Sequence, residues 1–298
     1  MSIRYRLGCR LTYDVRQPAV FIFNIQVAAL RRHTHLNEQL RLTPDLATDH
    51  YIVPDYHNRY LRVHAPVGPL SLDYQAEVTL HPFRADPSQI NETPVSKLPL
   101  YCVPYLLPSR FVPSDRLAGF ARKEFGHLHR GYSRVTAICN WLFEHIDYRF
   151  GASDSQTTAA ESLIRRAGVC RDFAHLGIAF CRALEIPARY VSCYAFGLKP
   201  NDFHAVFEAY LDGRWWLFDA TRMAPLDGLI RIGAGRDAAE IALSSDFSGA
   251  VVHGLTDIHI ERLDALPEGF TRTTDAISTD DAALELPQDE PVMNELRP

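Results

Sequence analysis

The chain has no run of roughly 18 apolar residues, so it offers no membrane-spanning helix. Its start, MSIRYRLGCRLTYDV, lacks a continuous apolar stretch and a small-residue cleavage site, so no secretory leader is expected. It lacks an excess of positive charge. The formal net charge is −5, and no global basic field draws nucleic acid or an acidic membrane surface. The six cysteines, at 9, 102, 139, 170, 181 and 193, form no CxxC pair and no zinc-like spacing. Scattered cysteines without a leader are expected in a reducing cytoplasm. Neither extreme polarity nor repetition is present: 47% of the 298 residues are hydrophobic and 22% charged. That excludes a wholly disordered chain and a coiled-coil rod, and the length suggests two domains.

The first ~110 residues read mainly as strands. In 70–80 (LSLDYQAEVTL), Leu70, Leu72, Tyr74, Ala76, Val78 and Leu80 alternate with mostly polar neighbours, the period of a half-buried strand. Residues 19–27 and 60–64 read as further strands, and Pro54, Pro66 and Pro69 mark turns. An antiparallel sandwich is the simplest packing for them. Residues 82–113 carry seven prolines and read as a connector.

Helical spacing then takes over. Ser114 and Asp115 are expected to cap a helix running to about Phe125. Val135, Ile138, Cys139, Leu142 and Ile146 fall on one helical face. Thr158 with Glu161 makes a capping box. Residues 170–185 read as a buried helix stopped by Pro187. Strands are expected at 188–196, 203–211, 214–221 and 251–262, with Asp212-Gly213 as a hairpin turn. Residues 273–298 hold seven acids against one base, the signature of a tail that is disordered or loosely docked. The expected division is a β-domain with its connector at 1–110, an α+β core at 111–265 and an acidic tail at 266–298.

Chemistry concentrates at Gly168-Val169-Cys170-Arg171-Asp172. A glycine turn leads into the buried helix with Cys170 in its first turn. Helix N-termini present free N–H groups and partial positive charge. That setting favours a nucleophilic thiolate and can hold an oxyanion. His175 is the nearest histidine, but five residues on it lies about 140° around the helix. His204 is the better base. If Asp212-Gly213 closes the hairpin symmetrically, Leu211 faces Arg214 and His204 faces Thr221. His204 and Asp219 are then diagonal neighbours on one face, roughly 5–8 Å apart. A one-residue slip would reverse this. Nucleophile, base and orienter are thus all available.

The stretches GVCRDFAHLGIAFCRALEIPARYVSCYAFG and DFHAVFEAYLDGRWWLFDATRMAP resemble the bacterial transglutaminase-like superfamily of cysteine proteases and acyltransferases. The GVCRDFA helix start, the H-A strand and the W-x-x-F-D-A-T strand stand in the family order. The similarity extends through 232–242 (IGAGRDAAEIA), and the N-terminal strands resemble the β-domain of two-domain members. Where many relatives have proline after the aspartate, this chain has Ala220.

The resemblance implies a papain-like α+β core: a nucleophile helix packed on an antiparallel sheet. By motif position Cys170 is the nucleophile, His204 the base and acid, and Asp219 the orienter. It implies attack on an amide or ester and a thioester acyl-enzyme resolved by water or an amine. A cysteine peptidase or amidase is the leading expectation. A transamidase acting on a glutamine-like acyl group is the alternative, and a silent binding module of the same fold the second. The expected partner is a peptide or protein substrate, with neither nucleic acid nor membrane, and no metal or cofactor is needed.

Other candidates carry weaker signals. Tyr148 and Gln156 are possible second oxyanion donors. Arg171 and Asp172 are placed either to steer substrate or to serve the helix start. Tyr194, Phe196 and Trp215 are placed either to line the cleft or to fill the core. The HxH pairs His33/His35 and His127/His129 lack an acid or cysteine at ligand spacing and read as solvated histidines.

Overall fold

Alternation builds the N-terminal half. In the strand Gly68–Leu80, every second residue from Leu70 to Leu80 is buried, because successive side chains point to opposite sides of a strand. The computed structural model, which describes residues 2–54, 56–247, 249–265 and 273–280, places this strand between Ile3–Val15 and His33–Thr43. Val251–Arg262 completes the four-stranded antiparallel sheet. A second sheet holds Ser244–Phe247, Ala19–Phe23, Arg59–Ala65 and Thr48–Ile52. Tyr5, Leu7 and Leu72 of one sheet share a core with Phe21, Phe23 and Val63 of the other, and burial of each such side chain stabilises by about 1.5–3 kcal/mol. This is the expected sandwich.

The expected boundaries need correcting. Two strands of the sandwich come from 244–262, after the core, so neither 110 nor 265 separates the layers in sequence. Strand signals are local, but the sheet a strand joins is decided by distant partners. The proline-rich connector has local structure of its own. Three 3₁₀ turns, Pro87–Gln89, Val95–Lys97 and Leu100–Tyr105, organise it.

Four helices follow: α1 (Ala118–Phe125), α2 (Tyr132–His145), α3 (Ala159–Arg165) and α4 (Cys170–Ala183). α1 begins later than the Ser114 cap suggests. Leu117 and Ala118 donate back to the Ser114 and Asp115 carbonyls in tight turns, so these residues precede the helix. α3 has its capping box, with Glu161 accepting the Thr158 N–H at 2.7 Å and Thr158 Oγ1 accepting the Glu161 N–H at 3.4 Å. α4 is buried from Asp172 to Ala183, because α1, α2 and α3 flank it and a sheet underlies it. That antiparallel sheet runs Arg214–Phe218, Phe203–Leu211, Ala188–Ala195, Leu229–Gly235.

The described part of the acidic end is docked rather than disordered. Ala276–Ser278 forms a strand against Phe83–Ala85, and residues 276–280 are buried. Asp280 pairs with Arg189 at 2.7 Å. Composition hid this because an apolar Ala-Ile pair sits among acids whose buried partners are far away in sequence. Residues 266–272 and 281–298 of the expected tail lie outside the described residues. Among the described residues no helix is long and apolar enough to cross a membrane.

Candidate active site

Cys170 opens α4 and is partly exposed, whereas the other five cysteines are buried. Asp172 braces this helix start. Its carboxylate accepts the Val169 N–H at 2.8 Å and the hydroxyls of Ser153 and Ser162. It is fully buried and does not line the cavity, so it braces the turn that carries Cys170. Arg171 donates to the Asp154 carbonyl and lies 3.3 Å from Asp172 Oδ1, yet it still lines the cavity beside Cys170. Gly177 lets α4 lie close on the sheet: a Cβ there would meet the Phe207 ring at 2.5 Å.

The hairpin delivers the other two groups. Asp212 (φ 50°) and Gly213 (φ 78°) close it, the positive angles a type I′ turn requires. Leu211 pairs with Arg214 and Phe207 with Phe218, the register of symmetrical closure. The strand ends at Phe218, short of the expected 221, because Asp219 enters a turn with Thr221. His204 Nε2 donates to Asp219 Oδ2 at 3.0 Å; an ionised carboxylate only accepts. Asp219 Oδ1 accepts the Thr221 N–H at 2.9 Å and its hydroxyl at 2.6 Å.

Burial opposes the Asp219 charge, but His204 and Thr221 hold the carboxyl below its usual range. Burial likewise pushes the His204 imidazole down. Asp219, and after it Cys170, outweigh this and raise it to about 10. His204 Nδ1 is buried and has no hydrogen-bond partner among the described residues, and His204 shares the cavity with Cys170.

Cys170 and His204 line one open cavity of about 530 Å³. Residues 238–239 and 241–243 wall it, with Phe111 and Tyr190, and Arg110 and Asp202 bring charge. A second cavity of about 690 Å³ touches Asp219 from the α2 side. Its cysteine, Cys139, is pushed up by burial, away from the thiolate. Among the described residues no three His, Cys, Asp or Glu side chains converge as metal ligands.

The remaining candidates separate. Burial, and after it the nearby Cys170, raise the Tyr148 phenol, so it keeps its proton; Tyr148 is not among the residues that line the cavity. Gln156 does not line the cavity; its side-chain oxygen accepts from Arg110 at 2.7 Å. Tyr194 is buried under the sandwich, donating to the Ile25 carbonyl at 2.8 Å, and Phe196 packs there too. Trp215 packs with Cys102, Tyr105 and Tyr210 beneath Arg189. None of these three lines the cleft. Sequence spacing tells which residues share a strand face but not which layer covers that face.

His175 is a core residue. It stacks on Phe111, accepts the Ala238 N–H at 3.2 Å, and is pushed down to about 3 by burial. His33 is buried on the Ala28 carbonyl rather than solvated, and is likewise pushed down to about 4. Thr221, Arg110 and Asp202 were not singled out. Only Thr221 carries a local signal, the Asp-x-Thr turn pattern.

Residues 119–220 match the transglutaminase-like superfamily, and residues 3–101 match the N-terminal domain of bacterial transglutaminases. The crystal structure of a candidate cysteine protease from Cytophaga hutchinsonii is 39% identical. It superposes over 93% of this chain and 98% of that one with a TM-score of 0.88. The chain belongs to the transglutaminase-like superfamily. Its papain-like core is α4 and the sheet beneath it, and its bacterial transglutaminase N-terminal domain is the sandwich. An uncharacterised protein from Mycobacterium leprae is 29% identical over 165 residues, which span 52% of this chain and 58% of that protein. Another, from Mycobacterium tuberculosis, is 33% identical over 119 residues, 35% of this chain and 38% of that one. The chain therefore matches about three fifths or less of the length of these curated relatives.

Proposed function

We propose that this protein is a thiol enzyme that cleaves amide bonds, a cysteine peptidase or amidase. The observation that carries the reading is the His204–Asp219 bond beside a partly exposed Cys170 in the same cavity. Cys170 Sγ attacks the carbonyl carbon, and the C=O π pair moves to oxygen. Free N–H groups at the start of α4 receive that oxyanion, and the Tyr148 hydroxyl is the second donor. As the C–N bond breaks, His204 gives its Nδ1 proton to the leaving amine. The thioester then accepts water: His204 takes one water proton, the hydroxyl adds to carbon, and the C–S bond breaks to release the acid and restore the thiolate–imidazolium pair. Asp219 keeps the ring oriented and its charge balanced.

Transamidation is the second reading, favoured by the match to a bacterial transglutaminase N-terminal domain. A primary amine then takes the place of water. We rank hydrolysis first because the cavity is open, so water is the abundant acceptor. The substrate in either case is a peptide or protein. Six free cysteines support a reducing compartment, the cytoplasm, as part of the same proposal.

Incubating a peptide amide donor with and without a primary amine, read by mass spectrometry, separates the two reactions. The reading expects acid product alone, or predominantly, when amine is present, and loss of all product in Cys170→Ala. Product persisting in Cys170→Ala contradicts a cysteine mechanism.

A further inference from the structure

The cavity that holds Cys170 carries two charges that nothing in the proposed chemistry uses. Arg110 and Asp202 both line it, and among the described residues neither forms an ion pair. The Arg110 guanidinium lies 5.2 Å from the centre of the Phe111 ring and donates to the neutral Gln156 oxygen at 2.7 Å. Those partners orient it without cancelling its charge. Arg171 approaches the same ring at 5.7 Å, but its charge is met by Asp172. A wall of Arg110, Phe111 and Arg171 thus leads to Cys170 with one cation uncompensated. Asp202 stands two residues before His204 in sequence, its carboxylate engaged by the Phe203 N–H at 2.7 Å.

The chemistry gives these charges a direction. His204 must protonate the leaving amine, so the amine component lies on the His204 and Asp202 side. The acyl carbon sits on Cys170, so the acyl component extends toward Arg171, Phe111 and Arg110. We infer that the substrate amide joins an acyl component bearing a carboxylate, read by Arg110, to an amine component bearing a positive charge, read by Asp202. Each is a specificity-determining residue, and the assignment rests on the thiol mechanism proposed above. One partly screened charge contact changes selectivity by a factor of about five.

The test uses two alkylating probes of similar size and opposite polarity. The rates of Cys170 modification by iodoacetate and by iodoacetamide are measured at low salt, resolved by peptide mass spectrometry. Both reagents need the same thiolate, so the ratio of their rates cancels any change in nucleophilicity and leaves the local charge preference. Arg110→Ala is expected to lower the iodoacetate/iodoacetamide ratio about fivefold, and Asp202→Asn to raise it about fivefold, with both effects shrinking in about 0.5 M salt.

A competition among four peptide amides, with either charge on either side of the scissile bond, is expected to favour the anionic acyl, cationic amine member. Ratios unchanged in both variants, or preference for the reverse peptide, overturn the charge assignment while leaving the thiol mechanism standing. Cys170 reacting no faster than the five buried cysteines overturns the thiol mechanism, and the assignment with it.

Discussion

At the residue scale the account turns on His204. Its imidazole is raised to about 10 from an ordinary 6.5, so the folded state favours the proton. The stabilisation is fully present below about 6.5 and is lost as pH rises toward 10. Asp219 works in the opposite direction. Its carboxyl is lowered, so its contribution is present above the usual carboxylate range and is lost as pH falls through the lowered value. Between these limits the charged pair is intact. Asp219→Asn removes the main partner that raises the imidazole. Its turnover is expected to fall about 10²–10⁴-fold, with the alkaline limb of the pH–rate profile moving down toward neutrality. An unmoved alkaline limb would remove Asp219 from its role as orienter. Tyr148→Phe deletes the proposed second oxyanion donor. It should lower kcat about 10–100-fold with KM nearly unchanged; a change confined to KM would make the phenol a binding contact instead.

Cys170, His204 and Asp219 are legible in sequence because each is placed by local geometry: a helix start for the first, a two-residue hairpin for the others. Arg110 and Asp202 are not legible. They reach the cavity from the connector and from the loop before a strand, and only tertiary packing brings those together.

At the element scale the buried charge cluster behind the sheet shows where composition misleads. Arg189 pairs with Glu208 and Asp280, both at 2.7 Å, and Arg231 pairs with Glu208. Without Asp280 two buried guanidiniums would share one carboxylate. Asp280→Asn is therefore expected to cost about 3 kcal/mol, read as a lower midpoint in urea. A midpoint within error of the parent would mean that 273–280 is not needed to hold the sheet. The hairpin and α3 were readable because Asp212-Gly213 and Thr158/Glu161 are short-range signals with one mechanical meaning. The Ala276–Ser278 strand was not, because three apolar-to-small residues inside an acidic run resemble a solvated tail until their partner strand is known.

For the whole molecule, the sandwich and the papain-like core share structure. The chain returns from the core to add Ser244–Phe247 and Val251–Arg262 to the two sandwich sheets. Ile230 and Ile232, from the core sheet, are buried in the sandwich interior. Asn58 grips both the N–H and the carbonyl of Ala234 at 2.8 Å. Layers joined this way are expected to melt together, as one calorimetric transition whose van't Hoff and calorimetric enthalpies agree. Two resolved transitions would show the sandwich to be an independent domain. The fold class was readable from strand and helix periodicity; this sharing of strands was not, since pairing between residues more than 200 positions apart leaves no local trace.

The central claim is a covalent one: an acyl group resides on Cys170 during turnover. Rapid acid quench of the enzyme with an ester or amide donor, followed by intact and peptide mass spectrometry, measures it directly. The account predicts the donor's acyl mass on the peptide containing Cys170, released by hydroxylamine and lost in His204→Ala. Turnover with no adduct on Cys170, or with the acyl group on another residue, would contradict it.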